Sequence, residues 1–318
     1  MNAPYLTSLT ILPAHVRITT LLFFVILFFA TITAVDASQS FIMQGDAATV
    51  HFDASQEAAA REVLHLYPSV RSDLERVIPW PIEFSPTFVL LTEGELEKIA
   101  ESRLVAALAI PRRNLVLLDL SKMSKHAFVL ETTMKHELCH LLLHHYINED
   151  ALPKWFDEGM CQWLSNGMAE IIMERKASFL DAAVLAGQIT PLWQLNNRFP
   201  GDDRSLMLAY EQSQSIVTYI SQKYGTGKLL LVLNQLRNGK AFQEAVKESL
   251  GVGFPELESN WQRSLKKEHT WLLYVSMHLY EILFFVAALL TVGGFIRLIR
   301  RRRASSRIEK GEEEIHEG

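Results

Sequence analysis

Two cysteines in a chain of 318 residues are too few for a disulfide framework, which excludes a small cross-linked scaffold. A basic excess is missing too. With 31 Lys and Arg against 36 Asp and Glu, the net charge is −5 and gives no reason to expect a nucleic-acid partner. No internal repeat is visible. Long apolar runs are absent from the middle of the chain: the hydrophobic excess, within an overall 49%, gathers near the ends, at Ile18–Val35 and roughly Tyr280–Ile299. The stretch between, about Ser38–Thr270, reads as a globular domain long enough to bury a sizeable core.

The ends predict the topology. The first run, ITTLLFFVILFFATITAV, follows Arg17 and precedes Asp36, with Val35 and Ala37 at the −3 and −1 positions of a signal-peptidase site before Ser38. Its eighteen residues are long for a signal core and barely enough for a span, so residues 1–37 read as a signal peptide or a retained membrane anchor. A span over 280–299 puts Glu281 at the outer interface, with Trp271, Tyr274 and Tyr280 as an aromatic belt. Arg300, Arg301, Arg302 and Arg303 follow at once, and the positive-inside rule makes that tail cytoplasmic. The domain over 38–270 is then extracytoplasmic, as expected of a periplasmic domain on a bacterial inner membrane. The last residues, SSRIEKGEEEIHEG, are polar without apolar periodicity and predict an unstructured tail.

Within the domain, ATVHF, TFVLLT and NLVLLDL carry the residues that favour strands, and IPWPIEFSP is irregular. A helical pattern covers about Ala54–Val77. After Ser121 the chain turns helical over Phe128–Tyr146, Lys154–Leu164, Ala169–Leu185, Met207–Tyr224, Gly227–Arg237 and Phe242–Leu250, with a last helix from Pro255 to about Lys267. Strands followed by many helices argue an α+β fold, a small N-terminal β-sheet leading into a mainly helical domain.

The text that carries chemistry is HELCH, His136 to His140, inside an apolar helix. Residues four apart share a helix face, so His136 and His140 can grip one metal ion, with Glu137 beside them to act on a water. A catalytic zinc takes three protein ligands and one open position. The metzincin pattern needs a glycine and a histidine where Leu143 and Tyr146 stand, so that solution fails. A glutamate from the next helix is the alternative. WFDEG supplies Glu158, with seventeen residues between it and His140. His144 shares the face of His140 a turn further on, which favours a solvated or hydrogen-bonded role over ligation. Cys139 points off the metal face, and a Cys139–Cys161 disulfide is open because the two helices must be neighbours.

HELCH followed by LPKWFDEG resembles the gluzincin clan of zinc peptidases, most closely the bacterial peptidase MA-like domain, and AYEQSQSIVTYISQKYG is similar to that family's pattern after the metal site. The resemblance implies a zincin-type, thermolysin-like catalytic domain holding one Zn2+ per chain through His136, His140 and Glu158. It implies Glu137 as general base and Tyr210 as the tyrosine that stabilises the oxyanion. Where thermolysin-like members place an aspartate that orients a ligand histidine, this chain has Gln162; Asp157 and Glu131 are the candidates to replace it. The expected partners are a protein or peptide substrate, pairing as an added strand with NLVLLDL, and membrane lipid. Two other readings stand beside the membrane-anchored metallopeptidase. One is a catalytically inactive gluzincin fold serving as a binding or assembly module; the other is a membrane scaffold that holds no zinc.

Overall fold

The computed structural model describes residues 40–100, 103–123, 127–167 and 178–316. The expected signal or anchor at 1–37 lies outside the described residues, as do 169–177 of the helix expected to start at Ala169. Strands β1 (Ser40–Gln44), β2 (Thr49–Asp53), β3 (Thr87–Leu91), β4 (Ala107–Ile110) and β5 (Leu115–Asp119) form one mixed sheet, ordered β1-β2-β3-β5-β4. β2, β3 and β5 run parallel, while β1 and β4 pair antiparallel at the two edges.

Helix α1 (Glu57–Val77) makes the crossover that parallel β2 and β3 require. It buries Ala60, Val63, Tyr67, Val70 and Leu74, spaced three and four apart, on the main core. On the sheet's other face the short α2 (Glu95–Ala100) lays Leu96 against Val105 and Leu117. β5 is therefore covered on both faces, which explains its continuous apolar run. Its position also corrects an expectation. NLVLLDL hydrogen-bonds β3 on one side and β4 on the other, so it has no edge to offer a substrate. The edge belongs to β4, whose short ALAI text shows no alternation and escaped the sequence reading.

After the helical turn α3 (Leu120–Met123) come α4 (Ala127–Tyr146), α5 (Lys154–Ser165), α6 (Phe179–Ala186), α7 (Asp203–Tyr224), α8 (Thr226–Arg237), α9 (Phe242–Leu250) and α10 (Phe254–Met277). α4 packs against α1, β4 and α5, and its residues from Leu130 onward are buried on nearly every side, as in a helix that runs through a core. Asn148 accepts a 3.0 Å bond from the Asp150 amide in the loop that turns α5 back against α4. Gly159 then lets α5 meet α7. A Cβ there would lie 2.3 Å from the Ser213 carbonyl oxygen and 2.8 Å from Val217, so no other residue fits the approach.

The last helix, α11, runs Leu279–His316. Its Leu279–Leu298 stretch is long and apolar enough to cross a membrane and buries nothing against the protein. The helix continues through the arginines to His316, where an unstructured tail was expected. Arg, Ala, Glu and Lys are strong helix formers, and extending an existing helix avoids the cost of nucleation.

Candidate metal centre

Two helices supply the polar groups. On α4, His136 and His140 stand one turn apart with their Nε2 atoms 3.1 Å from each other. From α5, Oε2 of Glu158 lies 3.5 Å from His136 Nε2 and 3.4 Å from His140 Nε2. All three side chains are buried. Ligands about 2.0–2.1 Å from a tetrahedral zinc stand about 3.3 Å from one another. The three edges observed, 3.1, 3.4 and 3.5 Å, bracket that value, so the donor set fits the ion in both chemistry and size.

Asp157, the neighbour of Glu158, fixes the orientation. Its Oδ1 lies 2.8 Å from His140 Nδ1, and its Oδ2 lies 3.0 Å from His144 Nε2. An ionised carboxylate only accepts, so His140 donates to it from Nδ1, and in the neutral ring the lone pair is then on Nε2. Of Asp157 and Glu131, it is Asp157 that bonds a histidine of the HELCH pair. His144 is hydrogen-bonded, as its place on the helix predicted. Lys154, one turn before Glu158, ion-pairs with its second oxygen, Oε1. The sequence reading missed that lysine, although the i, i+4 spacing was there to be read.

The electrostatics favour a cation. Burial disfavours the charged form of His140, yet Asp157 and Glu158 outweigh it and hold its pKa well above the ordinary imidazole range. Burial likewise opposes ionisation of Asp157, but His140 and His144 hold it well below the usual carboxylate range. Glu158 is lowered in the same way against burial, by Lys154 and the two histidines. Two ionised carboxylates in a dry interior demand positive charge close by.

Glu137, fully buried, lines one cleft of about 1540 Å³ together with His140, His144, Lys154, Glu158 and Tyr210. Tyr210 reaches it from α7, packed edge-on against Phe199 at 5.0 Å. β4 forms another wall through Ala107–Ile110. Cys139 and Cys161, 22 residues apart, join α4 to α5 as a disulfide, the pairing that the sequence left open, and Cys161 Sγ lies 3.6 Å from His140 Nδ1. Closing a loop of that size stabilises by about 3 kcal/mol in the chain-entropy account.

The profile of the peptidase MA superfamily matches residues 103–267, just over half of the chain. The chain belongs to the peptidase MA superfamily. The matched span begins before β4, ends within α10, and contains each of His136, Glu137, His140, Glu158 and Tyr210. No curated protein matches the sequence. Among solved structures, this peptidase MA chain is similar to native yeast LTA4 hydrolase at 13% identity and a TM-score of 0.44, over 70% of this chain and 38% of that one. It is similar also to the M1 zinc metallopeptidase of Deinococcus radiodurans, at 14% identity and a TM-score of 0.36, over 71% of this chain and 50% of that one. The chain thus spans half or less of the length of these structures.

Proposed function

We propose that this chain is a membrane-anchored zinc peptidase of gluzincin type, hydrolysing peptide bonds in protein or peptide substrates outside the cytoplasm. The observation that carries the reading is the nearly equilateral triangle of His136 Nε2, His140 Nε2 and Glu158 Oε2, buried at the wall of a wide cleft. In it, His136, His140 and Glu158 hold one zinc ion. Bound there, zinc supplies Lewis acidity, polarising a carbonyl and bringing a water's pKa down to roughly 7. Glu137 acts as general base: its carboxylate takes the attacking water's proton and later delivers it to the leaving amine. The phenol of Tyr210, on the facing helix, donates to the oxyanion. Asp157 keeps His140 in the tautomer that ligates, and Lys154 occupies the oxygen of Glu158 that faces away from the histidines. An extended substrate pairs with the edge of β4, which carries the main-chain groups that NLVLLDL has already spent.

Anchoring follows from Leu279–Leu298, and the four arginines after it orient the tail inward. The Cys139–Cys161 disulfide supports the outward placement of the domain, since such bonds persist in oxidising compartments. A bacterial inner membrane with the site on the periplasmic side is the location proposed.

The test uses the full chain purified in detergent. Bound zinc is measured by elemental analysis, and cleavage of casein and of a peptide library is compared with Glu137→Gln. The expected result is about one zinc per chain in both proteins, with kcat/KM in the variant lower by roughly 10²–10⁴-fold. No zinc in the wild type overturns the reading. Zinc in both with equal inertness replaces it by the binding-module reading.

A further inference from the structure

The proposed ligand set leaves a third histidine of the same helix face unused. α4 carries His136, His140 and His144 at successive turns, and α5 opposes them with two consecutive acids. Glu158 faces the first two histidines at 3.5 and 3.4 Å, and Asp157 spans the second and third at 2.8 and 3.0 Å. We propose that His144 is a positioning residue for the metal site, acting through Asp157 on His140. The inference rests on the zinc reading above and assigns a role to a side chain outside it.

The physical argument starts from Asp157. The terminal torsion of an aspartate is soft, so a carboxylate held by one oxygen can rotate. Held by both, it cannot. His144 fixes Oδ2 while Oδ1 receives the His140 proton, and the plane of the carboxylate then sets the ring angle of His140. Fixing that ring aims Nε2 at the point shared with His136 and Glu158. Outer partners of this kind are worth about 10–100-fold in metal affinity. His144, one bond further out, belongs at the low end.

The same residues invite another reading, in which His140, His144 and Asp157 hold a second ion. The geometry disfavours it. Both oxygens of Asp157 sit at hydrogen-bond distance from imidazole nitrogens, and Nε2 of His140 already belongs to the first triangle. His144 is also the end of the network nearest solvent: its side chain is 19% exposed where that of Asp157 is 4%. The chain His144–Asp157–His140 therefore runs from the cleft wall to the proposed ion.

The experiment measures the zinc dissociation constant of the full chain in detergent by competition with a fluorescent chelator. Wild type is compared with His144→Leu, His144→Gln, Asp157→Asn and the double variant His144→Leu/Asp157→Asn, with unfolding midpoints after chelation as a control on folding. His144→Leu should weaken zinc binding about tenfold, and His144→Gln, which keeps a donor for Oδ2, should restore most of it. The double variant should bind no more weakly than Asp157→Asn alone, because both changes act on one path. Wild-type affinity in His144→Leu overturns the proposal, as do fully additive losses in the double variant. Loss of zinc as complete as in His136→Ala also overturns it, by making His144 a ligand. A wild type without zinc removes the underlying reading instead, and that outcome is recognisable before any variant is made. If His144→Leu does not fold, His144→Gln and Asp157→Asn carry the comparison by themselves.

Discussion

Between α4 and α5, His136, Glu137, His140, Asp157 and Glu158 are all buried, while along α11 Phe284, Phe285, Leu289 and Leu290 stand about 70% exposed. The first region places charge where apolar groups belong, and the second does the reverse. Interior charge is tolerated only when it is matched, and here each carboxylate of α5 meets cationic or proton-donating partners across the interface. Exposed apolar surface of this extent needs an apolar surrounding. Nothing within the described protein supplies one for Leu279–Leu298. Departures from the usual partition thus mark the two places where, in the function proposed, the chain meets something outside itself: an ion in one case, a bilayer in the other.

Metal removal should separate the two regions most widely. With free zinc at about a thousand times the dissociation constant, binding stabilises the fold by about 4 kcal/mol. Chelation should therefore lower the unfolding temperature of the domain and leave its membrane fraction unchanged. A melting temperature indifferent to chelator would reduce the α4–α5 pairs to structural ion pairs.

A charge in the other region should do the converse. Leu289 lies at the middle of the apolar run, and arginine at the centre of a span costs about 2.5–3.5 kcal/mol. A reporter fused to the C-terminus and active only outside the cytoplasm should be silent in the wild type and gain activity in Leu289→Arg. Zinc content should not move. Reporter activity in the wild type would reverse the proposed orientation.

Glycines give a smaller and more direct contrast. Gly159→Ala drives a Cβ to 2.3 Å from the backbone of Ser213, while a Cβ on Gly294 meets nothing within 4 Å. Overpacking of the first kind costs about 1–3 kcal/mol. Because α7 also carries Tyr210, activity should fall along with the unfolding temperature. Gly294→Ala, in a helix interior, should be neutral or slightly favourable. Equal effects at the two positions would mean that α5 and α7 do not approach as described.

What could be read from the sequence follows the range of the interactions involved. α4, α5, α8 and α9 were legible nearly to their ends, because apolar spacing and turn residues are local signals. His136 and His140 were legible for the same reason, being i and i+4 on one helix. Glu158 needed the elimination of another ligand pattern, and its approach depends on a loop the sequence only suggests. The contact of Asp157 with His140 was not legible: choosing it over Glu131 requires knowing which turn of α5 faces which turn of α4. β4 was missed because four residues of ALAI become a strand only by pairing with β5. The doubly buried β5 had announced itself by an unbroken apolar run, which is the mark of an interior strand and not of an edge. The tail from Ser305 was misjudged because composition speaks to packing, and a helix already under way does not need packing to continue.

The smallest effect is expected where charges meet in the ordinary way. Arg112, in the turn between β4 and β5, pairs at 2.8 Å with Glu149 in the loop after α4, and the two side chains are 88% and 64% exposed. Both residues line the cleft, so position alone would nominate the pair as functional. Its physics is that of any solvated ion pair: weak attraction in water, screened by salt, offset by the side-chain entropy lost in holding it. Arg112→Ala should leave the unfolding temperature and zinc affinity unchanged, and should alter kcat/KM by at most a few-fold, in a way that vanishes at high salt. Lys154→Met is the matched control, since that lysine pairs with a carboxylate only 2% exposed and its removal leaves an interior charge short of a partner. Zinc affinity should respond to Lys154→Met and not to Arg112→Ala. If both substitutions act alike, burial is not what distinguishes the charges between α4 and α5 from those at the surface, and the contrast with α11 loses its basis.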